Sequence, residues 1–232
     1  MTVLLVLFTL IIFLTIDHFI QKRKTSTVEA TVPAAIKPSF AFPIQVPDGI
    51  SLATNHTWVK PNADGTVTIG FDGLLSRLLG ALDKIVFPRE GEVIVPAAAT
   101  ITAASKDHSL RLAPAASGEV VQINQEAVKN PSLILNDPYG QGWLMRVKPR
   151  EEDVAATRHF LVDRPAEWLK QQAMLIRDFI SLNSRQLQPV VLQEGGLPVE
   201  GVMQQFDEDV WSEFNQRFAA LRGNGDNESK EN

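Results

Sequence analysis

Residues 55–70 read NHTWVKPNADGTVTIG, and the choice between helix and sheet is made there. Trp58-Val59-Lys60 alternates apolar and polar, Asn62-Ala63-Asp64-Gly65 is a run of turn formers, and Thr66-Val67-Thr68-Ile69-Gly70 alternates again. That is the pattern of two strands joined by a tight turn, with Gly65 where the turn needs a positive φ. Moving outward, Leu74, Leu75, Leu78, Leu79 and Leu82 recur at helical spacing, and Asp72 is placed to cap that short helix. Further short strands are expected at 85–87, 92–95, 100–104, 109–112, 119–123 and 144–147. Brief strands at close spacing point to a small sandwich or barrel.

From about Glu152 the period turns helical, with Trp168, Leu169, Ala173, Ile176 and Ile180 on one face. A turn at 193–198 precedes a last helix, roughly 208–221, whose apolar face carries Val210, Trp211, Phe214 and Phe218. On the other side, residues 25–50 hold four prolines and read as an extended linker. Residues 2–16, TVLLVLFTLIIFLTI, contain no charge, and Phe19 and Ile20 prolong the apolar run. Roughly nineteen helical residues span about 28 Å, the depth of a hydrocarbon core. Nothing basic precedes this run and Lys22-Arg23-Lys24 follows it. That asymmetry predicts a retained anchor, single-pass in the inner (cytoplasmic) membrane, with the rest of the chain facing the cytoplasm. The expected organisation is therefore 1–21 transmembrane anchor, 22–54 proline-rich linker, 55–150 β domain, 151–222 helical extension and 223–232 disordered tail.

Composition removes most catalytic chemistries. There is no cysteine, and the four histidines (His18, His56, His108, His159) show no metal-ligand spacing. The net charge is −5, and the only basic cluster is the one at 22–24, so no nucleic-acid footprint exists. Ser105, His108 and Ser109 lie close together in a stretch without a nucleophile elbow, and Gly195-Gly196 is too isolated for a phosphate loop. What remains reads as something other than an enzyme.

Four segments, in order, carry a resemblance. They are His56-Thr57-Trp58-Val59 with residues 64–70, Leu79-Gly80 with DKIVFP at 83–88, SGEVVQIN at 117–124, and the 130–149 stretch with its NDPYG, GWL and KP. Together they resemble the H protein of the glycine cleavage system over residues 56–149. The resemblance implies a mainly β fold with appended α, a lipoyl-type barrel–sandwich hybrid, here preceded by one N-terminal transmembrane helix and followed by C-terminal helices. It also implies a cofactor, lipoate, joined by an amide to a lysine at a hairpin tip, on an arm that carries an intermediate between partner active sites. The equivalent hairpin here is 100–112, with the turn Ser105-Lys106-Asp107-His108.

Counting back from Pro114 places Lys106 at the attachment point. Counting forward from Pro88 without a gap places Asp107 there, and the family's E-S-V-K approach stands as Ala103-Ala104-Ser105-Lys106. Two functions remain open: a lipoyl swinging-arm carrier using Lys106, or a non-lipoylated adaptor or accessory subunit of a membrane complex, redox among them. The expected partners are the membrane, through residues 2–20, and other proteins, a multisubunit membrane complex included, and no nucleic acid.

Overall fold

The computed structural model describes residues 45–96, 98, 100–184 and 199–223. The 2–20 apolar run, the linker up to residue 44, the 193–198 turn and the tail from 224 lie outside the described residues.

Alternating residues make the strands, and their apolar sides meet in one core. β1 (Ser51–Leu52), β2 (Thr57–Pro61), β3 (Val67–Phe71), β5 (Val93–Ile94), β8 (Gly118–Ile123) and β9 (Met145–Lys148) form a six-stranded sheet in the order β1-β2-β3-β9-β8-β5. β4 (Lys84–Val86), β6 (Ile101–Ser105) and β7 (His108–Leu112) form a three-stranded sheet in the order β4-β6-β7. Among the described residues every strand pair is antiparallel. Ile69, Phe71, Val120 and Val147 of the larger sheet share an apolar cluster with Ile85, Ile101, Leu110 and Leu112 of the smaller one. Each such side chain, fully buried, contributes about 1.5–3 kcal/mol.

Helix α1 (Gly73–Leu79) starts where its cap is. Asp72 Oδ1 accepts the Leu75 N–H at 2.8 Å, and Gly80, at φ 67°, ends it. Two further short helices, α2 (Gln125–Lys129) and α3 (Ser132–Asn136), fall in a stretch whose sequence shows no clear period. α4 (Glu151–His159) and α5 (Pro165–Asn183) follow β9, and Leu169, Ala173, Ile176, Phe179 and Ile180 of α5 enter the same cluster. The final stretch has a 3₁₀ turn at Val202–Gln205, α6 (Glu208–Phe214) and a π-helical turn at Asn215–Ala219. The last helix is thus shorter than the 208–221 expected, because its geometry widens after Phe214 while Phe218 stays buried.

Two local expectations are revised. β1 closes an edge of the larger sheet within the stretch read as linker, pairing Ser51 with Val59 and Leu52 with Trp58. The strand expected at 144–147 starts one residue late, and Trp143 before it is half-buried with the Arg146 guanidinium 5.2 Å from its ring centroid. The strand opens at Met145, and Leu144 takes the buried place.

The location in the inner, cytoplasmic membrane is corrected as well. Among the described residues no helix is long and apolar enough to cross a membrane. The longest, α5, is amphipathic: its apolar face lies in the core, and Glu167, Lys170 and Asp178 lie exposed on its other side.

Candidate functional site

The hairpin β6–β7 is built by strict alternation. Ile101, Ala103 and Ser105 point inward from β6, and Leu110 and Leu112 from β7, while Ser109 and Arg111 face water. The register pairs Ile101 with Leu112, Ala103 with Leu110 and Ser105 with His108, which leaves a two-residue turn of Lys106 and Asp107. Lys106 takes φ 54°, in the left-handed region. A side chain there costs about 1–2 kcal/mol, and local hydrogen bonds offset it. The Lys106 N–H donates to Asp83 Oδ2 at 2.6 Å, and the Asp83 N–H donates to the Ala104 carbonyl at 2.9 Å. Ser105, only 1% exposed, donates its hydroxyl to the Ala81 carbonyl at 3.1 Å. Its oxygen is therefore committed to the fold and is no nucleophile beside His108.

Lys106 and Asp107 are both exposed at the apex. Of the two, only lysine carries an amine that can form an amide with a carboxylic acid. Within the described residues no ion pair engages its ammonium. An exposed, unpaired primary amine on a fixed turn fits the attachment of lipoate.

His108, read from sequence as a polar turn residue, opens β7 and is gripped. Its Nδ1 lies 2.8 Å from Glu208 Oε2, and its ring stacks on Trp211 with centroids 5.4 Å apart and planes at 19°. The last segment is fastened beneath the tip too: the Gln204 amide donates to the Leu79 and Ala81 carbonyls at 2.8 and 2.9 Å. Lys106, Glu200, Gly201 and Gln204 share the lining of a cleft of about 330 Å³. Asp83, Gln204, Glu208 and Trp211 are the tip's neighbours that sequence reasoning did not find. Asp83 stands one residue before β4 and was within reach of a hairpin-stacking argument. Glu208 lies 100 residues from His108, and no local pattern announces it.

A second polar cluster sits away from the tip. His56 and Asp72 are fully buried, with His56 Nδ1 2.7 Å from Asp72 Oδ2. His56 takes φ 63°, and its ring lies 4.9 Å from that of Trp168. No group of three or more metal-ligating side chains occurs among the described residues.

Two antiparallel sheets hold an exposed lysine out on a hairpin, an arrangement suited to a carrier domain. Comparison with known proteins gives its family. The model of the family described as Glycine cleavage H-protein matches residues 50–171. The glycine cleavage system H protein of Halorhodospira halophila is 35% identical over 127 residues, which span 51% of this chain and 97% of that protein. That of Pseudoalteromonas atlantica is 34% identical over 113 residues, 47% of this chain and 84% of the relative. Of solved structures, a glycine cleavage system H protein from Mycobacterium marinum is 33% identical, covering 45% of this chain and 86% of its own, at a TM-score of 0.42. The chain belongs to the glycine cleavage H-protein family. Proteins of this family are carriers, not catalysts; they bear lipoate on a lysine and work with the other proteins of the glycine cleavage system.

Proposed function

We propose that this chain is a lipoyl swinging-arm carrier of the glycine cleavage type, with Lys106 as the attachment point, and that its two sheets form a barrel–sandwich hybrid. The observation that carries this is the apex itself: Lys106 is exposed on a two-residue turn, its amine unpaired and its backbone tied to Asp83. When bound, lipoate supplies a dithiolane at the end of a long arm, able to carry an intermediate from one partner's active site to another's. The chain's own part is mechanical. The Lys106 amine loses a proton and forms the amide with the acyl carbon of an adenylate-activated lipoate, and AMP leaves with the oxygen. The β6–β7 ladder and the Asp83 bond keep that amine projecting into water. Other proteins of the glycine cleavage system are the partners that load and unload it.

The test is an intact-mass measurement on the native protein with a peptide map across residues 100–112. A lipoyl-sized addition on Lys106, absent from a Lys106→Arg variant, is the expected result. An unmodified lysine, in cells whose other lipoyl proteins are modified, would sink the carrier reading and leave the non-lipoylated adaptor.

A further inference from the structure

Residues 199–223 lie outside the stretch matched by the family, yet they run along the hairpin that bears Lys106. The turn does not need them for its shape. The β6–β7 register closes it, and Asp83 fixes its backbone. What the segment adds is a wall. Glu200 and Gln204 line the cleft on which Lys106 opens, and Glu208 stands against His108, two residues beyond the lysine. The wall is rooted in the core, because Val202, Met203, Phe206, Trp211 and Phe214 are all buried. Its near edge is also tied down, with the Gly201 N–H donating to the Arg77 carbonyl at 2.8 Å. It does not swing aside as a loose loop would.

An enzyme that acylates Lys106 has to admit the turn and the residues flanking it. We infer that Glu200, Gln204 and Glu208 form a selectivity wall beside Lys106, which restricts the lysine to enzymes whose mouths have room for it. The inference rests on Lys106 being the attachment point. Its action is steric and falls on docking: a small acylating reagent reaches the exposed amine unhindered, whereas a ligase is slowed by the wall.

The test uses the full chain, a lipoate–protein ligase active on ordinary H proteins, lipoate and ATP. Initial rates are compared for the wild type, a Glu200→Ala/Gln204→Ala/Glu208→Ala variant and Glu208→Gln, which keeps the bulk and drops the charge. Circular dichroism confirms that the trimmed chain is folded, and labelling of Lys106 by acetic anhydride reports its amine independently of any enzyme. The trimmed chain is expected to gain about fivefold or more in kcat/KM, mostly through KM, the shift that releasing about 1 kcal/mol of docking penalty gives. Glu208→Gln and the anhydride labelling are expected to stay at wild-type levels. Equal, measurable ligation of wild-type and trimmed chains overturns the wall and leaves the carrier reading intact. No ligation of either, with the amine still labelled, overturns the carrier reading and the wall with it.

Discussion

Asp72 shows how much one side chain does in this core. One carboxylate oxygen caps α1 through the Leu75 N–H, and the other meets buried His56. The capping role was legible, because an acid directly before a leucine-rich helical run is a local signal. The partnership with His56 was not. It spans 16 residues and depends on a left-handed residue at the mouth of β2, which no spacing rule announces. Tyr139 lies in the same neighbourhood. Its hydroxyl oxygen accepts the Gly73 N–H at 3.1 Å, and burial first, then the charge of Asp72, push its ionisation above the ordinary value of 10. The sign follows from linkage: the folded chain holds the phenolic proton to higher pH than the unfolded chain, so this contribution is complete below about pH 10 and is lost as pH rises beyond it. Tyr139 is the only tyrosine, so tyrosinate absorbance reports it alone. A titration is expected to show ionisation delayed in the folded chain and normal in denaturant. Tyr139→Phe should flatten the alkaline fall in urea midpoint while lowering stability at neutral pH by about 1 kcal/mol through the lost hydrogen bond.

Elements that run on a simple period were readable, and those fixed by distant contacts were not. The strands β2 to β9 follow alternation or short apolar runs, and α5 declares itself by five apolar residues on one face. α2 and α3 are five-residue helices, too short to show a period, and β1 exists because β2 pairs with it. The start of β9 was hard to read for a related reason: a ring at a strand's mouth packs wherever its neighbours leave room, as Trp143 does against Arg146. Gly65, marked in the sequence as a turn position, and Gly118 both have positive φ, 80° and 146°, but their surroundings differ. A Cβ on Gly65 meets nothing within 4 Å, so Gly65→Ala pays only backbone strain, about 1–2 kcal/mol. A Cβ on Gly118 would sit 2.3 Å from the Lys148 carbonyl oxygen, which belongs to the neighbouring strand β9. Gly118→Ala is therefore expected to cost several times as much, enough to prevent folding in a domain of ordinary stability. Thermal melts of the two variants, measured side by side, check it. Comparable losses would mean that β8 and β9 separate more easily than their register suggests.

At the scale of the whole molecule, the H-protein core was legible because its four motif segments lie in order along the chain. The addition to that core was legible only as helices, with no indication of what they cover. Hydrophobic pattern says that Trp211, Phe214 and Phe218 want burial, and says nothing of where. The structure supplies the place. Phe179 of α5, Phe214 and Phe218 form a ring cluster with centroids 5.2–6.0 Å apart, and Trp211 donates its indole N–H to the Met203 carbonyl while stacking on His108 of the hairpin. The final segment is thus part of the core and not an appendage to it. A chain ended after residue 198 would uncover Phe179 and the back of α1 together, and would leave the Leu79 and Ala81 carbonyls without the Gln204 amide. Losing one large aromatic from a core costs about 3–5 kcal/mol, and this truncation removes four, Phe206, Trp211, Phe214 and Phe218. The shortened chain is expected to lose its cooperative melting transition and expose apolar surface to a hydrophobic dye, even though residues 50–171 remain whole. If it melted as sharply as the full chain, the 199–223 segment would be a surface addition, and the wall beside Lys106 would have to be held by the hairpin alone.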